Sequence, residues 1–169
     1  MPTQYPKVRV SGIVDGTSVD GPGLRTSVYF SGCHHRCPGC HNPGTWDFGA
    51  GEEMSVEEVL ARIECNGMNV TFSGGDPVYS AAAVLPIARG IKAMGLNLWM
   101  YTGFEYEQLA GLGADVGELL ECVDVLVDGP YVAALRDTDL RFRGSSNQRI
   151  IDLRATRRTG AVVLYNLDF

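Results

Sequence analysis

Short apolar runs, each closed by a polar turn containing glycine, set the rhythm of this chain. Val8 to Val14 reads as a first strand at the sheet edge, followed by the Asp20-Gly21-Pro22-Gly23 loop. Thr26 to Phe30 reads as a strand that runs directly into Ser31-Gly32-Cys33. Asn69 to Phe72 ends in Ser73-Gly74-Gly75-Asp76-Pro77, and Leu96 to Tyr101 ends in Thr102-Gly103. Val123 to Val127 is short and largely apolar, as suits a strand buried on both faces of a parallel sheet, and it ends in Asp128-Gly129. The tail after Arg143 offers two further short strands, Arg149 to Leu153 and Val162 to Tyr165.

Helical periodicity fills the intervals. Ser55-Val56-Glu57-Glu58 is a capping box, and Val56, Val59, Leu60 and Ile63 then recur at the spacing of one helix face. Ala81 to Met94 reads as a second helix that Pro86 should bend or divide, and Tyr106 to Cys122 as a third helical region. Strands alternating with helices imply right-handed crossovers and a parallel sheet, with ligands gathered at the carboxyl ends of the strands. Four strand ends then share one rim: Cys33, Gly74-Gly75-Asp76, Tyr101-Thr102-Gly103 and Asp128-Gly129. The 169 residues are too few for a complete eight-unit barrel, which takes about 250 residues. The expectation is an α/β fold: a partial, open parallel β/α barrel of about five or six strands, with one side accessible to a large substrate. No repeat, low-complexity stretch or linker divides the chain, so residues 1–169 are expected to form one domain.

Composition narrows the partners. A net charge of −6 argues against nucleic acid, which needs a basic field. Half of the 14 basic residues lie between Arg136 and Arg158, as a solvated face or a surface for a partner or an anion. Met1 to Val10 holds two prolines and two charges and does not resemble a signal peptide, and no apolar run reaches the ~18 residues of a membrane span. The five cysteines suggest a reducing, cytoplasmic setting, because three lie too close together for a disulfide framework. Cys65 and Cys122, in helical stretches, read as buried apolar fillers.

Those three clustered cysteines, Cys33, Cys37 and Cys40, form a C-x3-C-x2-C loop. Three thiolates cannot satisfy all four irons of a [4Fe–4S] cluster, so one iron stays open to a small molecule. The alternative is structural zinc with His41, His34 or His35 as fourth ligand, although zinc ligands usually come in two separated pairs. Taken alone, His34 and His35 read as surface residues. Pro38 and Gly39 reduce the steric bulk around the third cysteine, as a bulky inorganic cube would require. Gly74 and Gly75 allow close backbone approach to a ligand or make an ordinary tight turn. Asp76 reads as a helix cap or as an acceptor for a ligand ammonium, and Asp128 and Arg143 as ion-pairing or functional groups.

Together these motifs resemble the radical S-adenosylmethionine enzymes that activate glycyl-radical enzymes. C-H-H-R-C-P-G-C-H-N-P-G-T-W-D matches their cluster loop, with D-G-P-G-L-R upstream, S-G-G-D-P in the middle and Y-T-G after a strand. The ending V-D-G-P-Y-V…R-D…L-R-F-R-G-S-S-N-Q-R-I-I is similar to the branch acting on the anaerobic, class III ribonucleoside-triphosphate reductase. The resemblance spans roughly residues 10 to 153. It implies that Cys33, Cys37 and Cys40 ligate a [4Fe–4S] cluster whose fourth iron S-adenosylmethionine chelates. Reductive cleavage then yields methionine and a 5′-deoxyadenosyl radical, which takes a hydrogen atom from a glycine of the reductase. It further implies that Gly74, Gly75 and Asp76 serve the methionine amino group. Gly39, Cys40 and His41 would pass the adenine or ribose, and Tyr101, Thr102 and Gly103 would line the pocket. The implied electron donor is flavodoxin-like or thioredoxin-linked. Two departures stand out: Gly39 replaces a common aromatic, and Asp76 replaces a common Glu. The alternatives are activation of pyruvate formate-lyase or another glycyl-radical enzyme, and a non-catalytic zinc or iron–sulfur module.

Overall fold

The computed structural model describes residues 5–168; the first four residues and the last residue of the expected domain lie outside the described residues. Val28, Phe72, Met100, Leu126 and Ile151 stand side by side across five strands, and all are fully buried. This row belongs to a sheet of seven strands: β1 (Val8–Thr17), β2 (Arg25–Phe30), β3 (Glu52–Met54), β4 (Asn69–Gly74), β5 (Leu98–Tyr101), β6 (Val125–Asp128) and β7 (Arg149–Asp152). Their order is β3-β1-β2-β4-β5-β6-β7, and the sheet does not close. β2, β4, β5 and β6 run parallel, while β1, β3 and β7 pair antiparallel at the flanks.

The expected strands are therefore present, with three corrections. β1 is not an edge strand, because Val8, Arg9 and Val10 pair with Met54, Glu53 and Glu52 of β3. Only four strands form the parallel core. The stretch from Val162 to Tyr165 contributes an isolated bridge, Ile151 to Leu164, rather than a strand. β6 begins at Val125 because Asp124 is used otherwise: its carboxylate accepts from the Leu98 amide at 2.8 Å and pairs with Lys92.

Helices α1 (Val56–Asn66), α2 (Ala81–Ala93), α3 (Tyr106–Leu109), α4 (Ala114–Cys122) and α5 (Leu153–Thr159) follow the strands. The capping box forms as expected: Ser55 Oγ accepts from the Glu58 amide, and Glu58 Oε2 accepts from the Ser55 amide. Pro86 does not divide α2; Val84, Leu85, Ile87, Ala88 and Ile91 are buried on either side of it, outweighing one missing amide hydrogen bond. The third helical region does divide, at Gly111 and Gly113, the latter at φ +109°. Val59, Ile63, Val84, Ile91, Val116 and Leu119 pack onto the row described above. Each such burial contributes about 1.5–3 kcal/mol. Cys122 is half-buried, but Cys65 is exposed, contrary to its expected role as a filler.

The opposite face of the sheet is split in character. Across β5, β6 and β7 it is apolar: Trp99, Val125, Val127 and Ile150 form a second cluster covered by Phe142, Tyr165 and Leu167. Trp99 meets the Phe142 and Tyr165 rings edge-on at 5.5 and 5.3 Å. Across β2 and β4 it is polar. Arg25, 1% exposed, donates through Nε to Thr71 Oγ1 and through Nη2 to the Val70 carbonyl and Asn97 Oδ1. Burial lowers its pKa to about 10. Of the late arginines, Arg149 pairs with Glu107 and Asp128, and Arg157 donates to the Leu120 and Val123 carbonyls. No helix among the described residues is long and apolar enough to cross a membrane.

Candidate functional site

The rim of the parallel strands carries a cavity of about 210 Å³. Cys33, Cys37, Cys40 and His41 line one side, and Gly74, Gly75, Tyr101, Thr102 and Gly103 line the other. The topology explains the meeting, since Phe30 pairs with Gly74 at the end of β2 and β4, and Tyr101 with Val127 at the end of β5 and β6. A second depression of about 430 Å³ shares Asp20, His41, Asn42, Tyr101 and Gly144 with the first and continues outward over Val19 and Phe142.

The cysteine loop is tied to the β4 turn by backbone hydrogen bonds. The Gly75 amide donates to the Phe30 carbonyl at 2.7 Å, and the Asp76 amide to the Gly32 carbonyl at 2.9 Å. Gly32 and Cys33 in turn donate to the carbonyls of Thr45 and Trp46. A Cβ on Gly75 would sit 2.5 Å from the Gly32 carbonyl oxygen, so glycine is what lets these backbones touch. Within the loop, Arg36 adopts φ +48°, an uncommon conformation for a non-glycine residue, with its guanidinium over the Trp46 ring.

Cys33 is buried, and Cys37 and Cys40 are half-buried. Burial pushes the Cys33 thiol up; the amides of His35 and Arg36 oppose this, while Asp76 and Cys37 add to it. A bound cation reverses that preference, because thiolate ligation offsets desolvation. No group of three or more His, Cys, Asp or Glu among the described residues surrounds a single metal-ion position.

Asp76 lies behind the cavity rather than in it. Its carboxylate is 1% exposed and is met by four groups. Oδ1 takes the Val78 amide at 3.0 Å; Oδ2 takes Thr102 Oγ1 and the Gly103 amide at 2.9 Å and faces His35 Nε2 at 2.8 Å. The cap expected of Asp76 is real, on the turn Pro77–Ser80. His35 is not a surface residue: it is wedged against Tyr79 and Phe104, and Gly103 leaves room for its ring. His34 is exposed, yet its ring contacts Phe48 and Tyr79. Gly39 does not line the cavity, and a Cβ there would lie 3.4 Å from the Tyr131 ring.

Several cavity residues carry no signal of their own in the sequence. Asp20 accepts from Ser27 Oγ at 3.0 Å and from the Tyr29 hydroxyl, and burial raises the Tyr29 pKa. Tyr131, Gly144 and Gln148 close the far wall. The motifs that hold these residues are D-G-P-G, D-G-P-Y and R-G-S-S-N-Q, whose order marks a family but whose residues suggest no structural role. Gln148 links two of these segments: Oε1 accepts from the Gly144 and Ser145 amides, and Nε2 donates to the Gly129 carbonyl. Asp128 is structural, bonding Arg149 and the Tyr106 amide. Arg143 donates to the Gln148 carbonyl, while its buried Nε has no partner among the described residues.

Residues 19–151 match the family model described as a 4Fe-4S single cluster domain. A protein of Salmonella typhimurium named anaerobic ribonucleoside-triphosphate reductase-activating protein is 34% identical over 146 residues, covering 80% of this chain and 93% of that one. Identically named proteins of Escherichia coli and Vibrio cholerae are 35% and 37% identical, covering 80% and 78% of this chain and 93% and 90% of their own lengths.

Proposed function

Because the chain belongs to the family of anaerobic ribonucleoside-triphosphate reductase-activating proteins, we propose that it is the enzyme that installs the glycyl radical on that reductase. The reading assigns Cys33, Cys37 and Cys40 to a [4Fe–4S] cluster and the adjoining cavity to S-adenosylmethionine. When bound, the cluster supplies the electron that cleaves S-adenosylmethionine, so that a hydrogen atom can be taken from a glycine of the reductase. The observation that carries the assignment is a single cavity lined both by the three thiols and by the Gly74-Gly75 turn.

The donor set fits such a group. Thiolates are the usual ligands of iron–sulfur clusters, and three of them leave one iron for a small molecule. Ligation of separate irons asks the thiols to face one cavity, not to share one ion. Gly74 and Gly75 supply close backbone approach for an amino-acid moiety, and Tyr101, Thr102, Gly103, Cys40 and His41 bound the remaining space. Gly39 packs beside Tyr131, and Asp76 orients rather than touches, through Thr102, Gly103 and His35.

In this reading the open sheet is a shortened radical S-adenosylmethionine barrel forming a single domain. The outer depression continuous with the cavity gives a polypeptide access to it. The enzyme works in the cytoplasm with a flavodoxin-like or thioredoxin-linked donor.

The test is anaerobic reconstitution with iron and sulfide, reduction with dithionite, and assay for methionine and 5′-deoxyadenosine. Electron paramagnetic resonance is then recorded after separate incubation with the anaerobic reductase and with pyruvate formate-lyase. A glycyl doublet on the reductase is expected. Zinc in place of iron with no cleavage product, or a doublet on pyruvate formate-lyase alone, would overturn the assignment.

A further inference from the structure

The cluster loop lacks an aromatic before its third cysteine, where Gly39 stands, yet the cavity does not lack an aromatic wall. Five of its lining residues carry rings: His35, His41, Trp46, Tyr101 and Tyr131. Three of these are engaged elsewhere. His35 is packed against Tyr79 and Phe104 and faces Asp76. Trp46 carries the Arg36 guanidinium over its ring at 5.7 Å. Tyr101 donates its hydroxyl to the Phe142 carbonyl, and burial raises its pKa.

Tyr131 differs from them. Two glycines approach different atoms of its ring: a Cβ on Gly39 would be 3.4 Å from Cε1, and one on Gly144 would be 3.1 Å from Cδ2 and Cε2. Among the described residues its one aromatic neighbour is His41, tilted by 49° at 5.1 Å. The segment carrying it is held firmly. Asn147 Nδ2 donates to the Pro130 carbonyl at 2.8 Å, Gln148 Nε2 to the Gly129 carbonyl at 3.1 Å, and the Val132 amide to Ser145 Oγ at 3.2 Å. A large planar ring seated between glycines and fixed from behind by amides is a pre-organised stacking surface.

We propose that the Tyr131 ring, seated between Gly39 and Gly144 on the wall beside Cys40, is the face against which the purine of S-adenosylmethionine rests. The inference depends on the functional reading above and deepens it: the aromatic wall comes from the loop after β6 instead of from the cluster loop. Gly39 lies against the ring, where a Cβ would make ordinary contact at 3.4 Å, and its φ of +78° is what favours glycine there. Gly144 is the tighter complement, since a Cβ there would press on the ring at 3.1 Å, which gives the R-G-S-S-N-Q segment a physical role.

Aromatic stacking on a base is worth about 1–3 kcal/mol by alanine substitution, or roughly 5- to 150-fold in affinity. The experiment uses cluster-loaded protein under anaerobic conditions and measures S-adenosylmethionine binding by equilibrium dialysis. Iron content and the resonance of the reduced cluster are recorded on each sample. Tyr131→Phe keeps the ring and is expected to bind within about threefold of the parent protein. Tyr131→Leu keeps apolar bulk between the glycines without a π face; it should load iron normally yet bind at least about fivefold more weakly. Tyr131→Ala should weaken binding at least as much. Parent protein that binds S-adenosylmethionine while the Leu variant, with full iron, binds it equally well would overturn the stacking role alone. Parent protein that loads iron but binds no S-adenosylmethionine would overturn the functional reading and this inference with it.

Discussion

Asp76 Oδ2 faces His35 Nε2 at 2.8 Å, joining the turn after β4 to the middle of the cysteine loop. The same oxygen holds Thr102 and Gly103, so one carboxylate joins three separate strand ends. Replacing Asp76 with Ala leaves the Thr102, Gly103 and Val78 donors without their acceptor. Each buried donor left unpaired costs about 1–3 kcal/mol, so Asp76→Ala should destabilise the protein by about 3 kcal/mol or more. Thermal unfolding followed by circular dichroism, with iron counted per chain, checks this. A variant that melts like the parent and loads iron fully would remove Asp76 from the frame of the site.

The cysteines should divide cleanly into two groups. Cys33→Ala, Cys37→Ala and Cys40→Ala are each expected to lose the cluster and all S-adenosylmethionine cleavage. Cys65→Ala and Cys122→Ala should keep both, Cys65 because it is exposed on α1 and Cys122 because it is remote at the end of α4. Iron analysis and a 5′-deoxyadenosine assay on all five variants read the division directly. Equal loss in all five would contradict it.

Gly75 and Gly117 make a paired test of backbone contact. A Cβ on Gly75 would press on the Gly32 and Thr45 carbonyl oxygens at 2.5 and 2.9 Å, whereas one on Gly117 would meet nothing within 4 Å. Gly75→Ala should therefore destabilise by about 1–3 kcal/mol and lower iron occupancy by displacing the cysteine loop. Gly117→Ala, inside α4, should stabilise by about 0.5–1 kcal/mol. Denaturant unfolding gives both values, and the opposite ranking would show that Gly75 has slack the geometry does not suggest.

Arg149 holds the Glu107 carboxyl below the usual carboxylate range, chiefly through a two-pronged hydrogen bond. A carboxyl with a depressed folded-state pKa adds stability above its unfolded pKa and loses that contribution as pH falls through the folded value. Glu107→Gln should thus lower the melting temperature at neutral pH, with the gap closing in acid. The effect is modest because the Glu107 side chain is 57% exposed. A gap that stays constant across the titration would mean that packing, not charge, sets the difference.

Much of this molecule is readable in the sequence, and for identifiable reasons. The rim turns follow apolar runs whose length and composition mark them as strands, so the pattern alone brings Cys33, Gly74, Tyr101 and Gly129 to one rim. The capping box at Ser55 is local chemistry and appears as expected. What escapes depends on distant partners. β3 is Glu-Glu-Met, with no strand-like pattern, and exists only because Val8 to Val10 offer it an edge. Tyr131 has no periodic signal, and its importance comes from Gly39 and Gly144, which the chain brings in from either side. The role of Asp76 depends on the groups around it, and three of the four come from residues 35, 102 and 103.

The rim cavity also fixes when the protein can acquire its chemistry. The cavity is completed late along the chain: the wall from residues 33–41 is local, but Gly75, Gly103 and Tyr131 reach it through successive parallel pairings and Gln148 through the antiparallel pairing of β6 with β7. Such long-range pairings form slowly and cooperatively. During synthesis, residue 148 must leave the ribosome before Gln148 can fasten the last wall, and until then the three thiols have no enclosure. Enclosure of the three thiols is therefore an event that follows synthesis of residue 148, and an enclosed cavity certifies that the pairings from β2 to β7 have all formed.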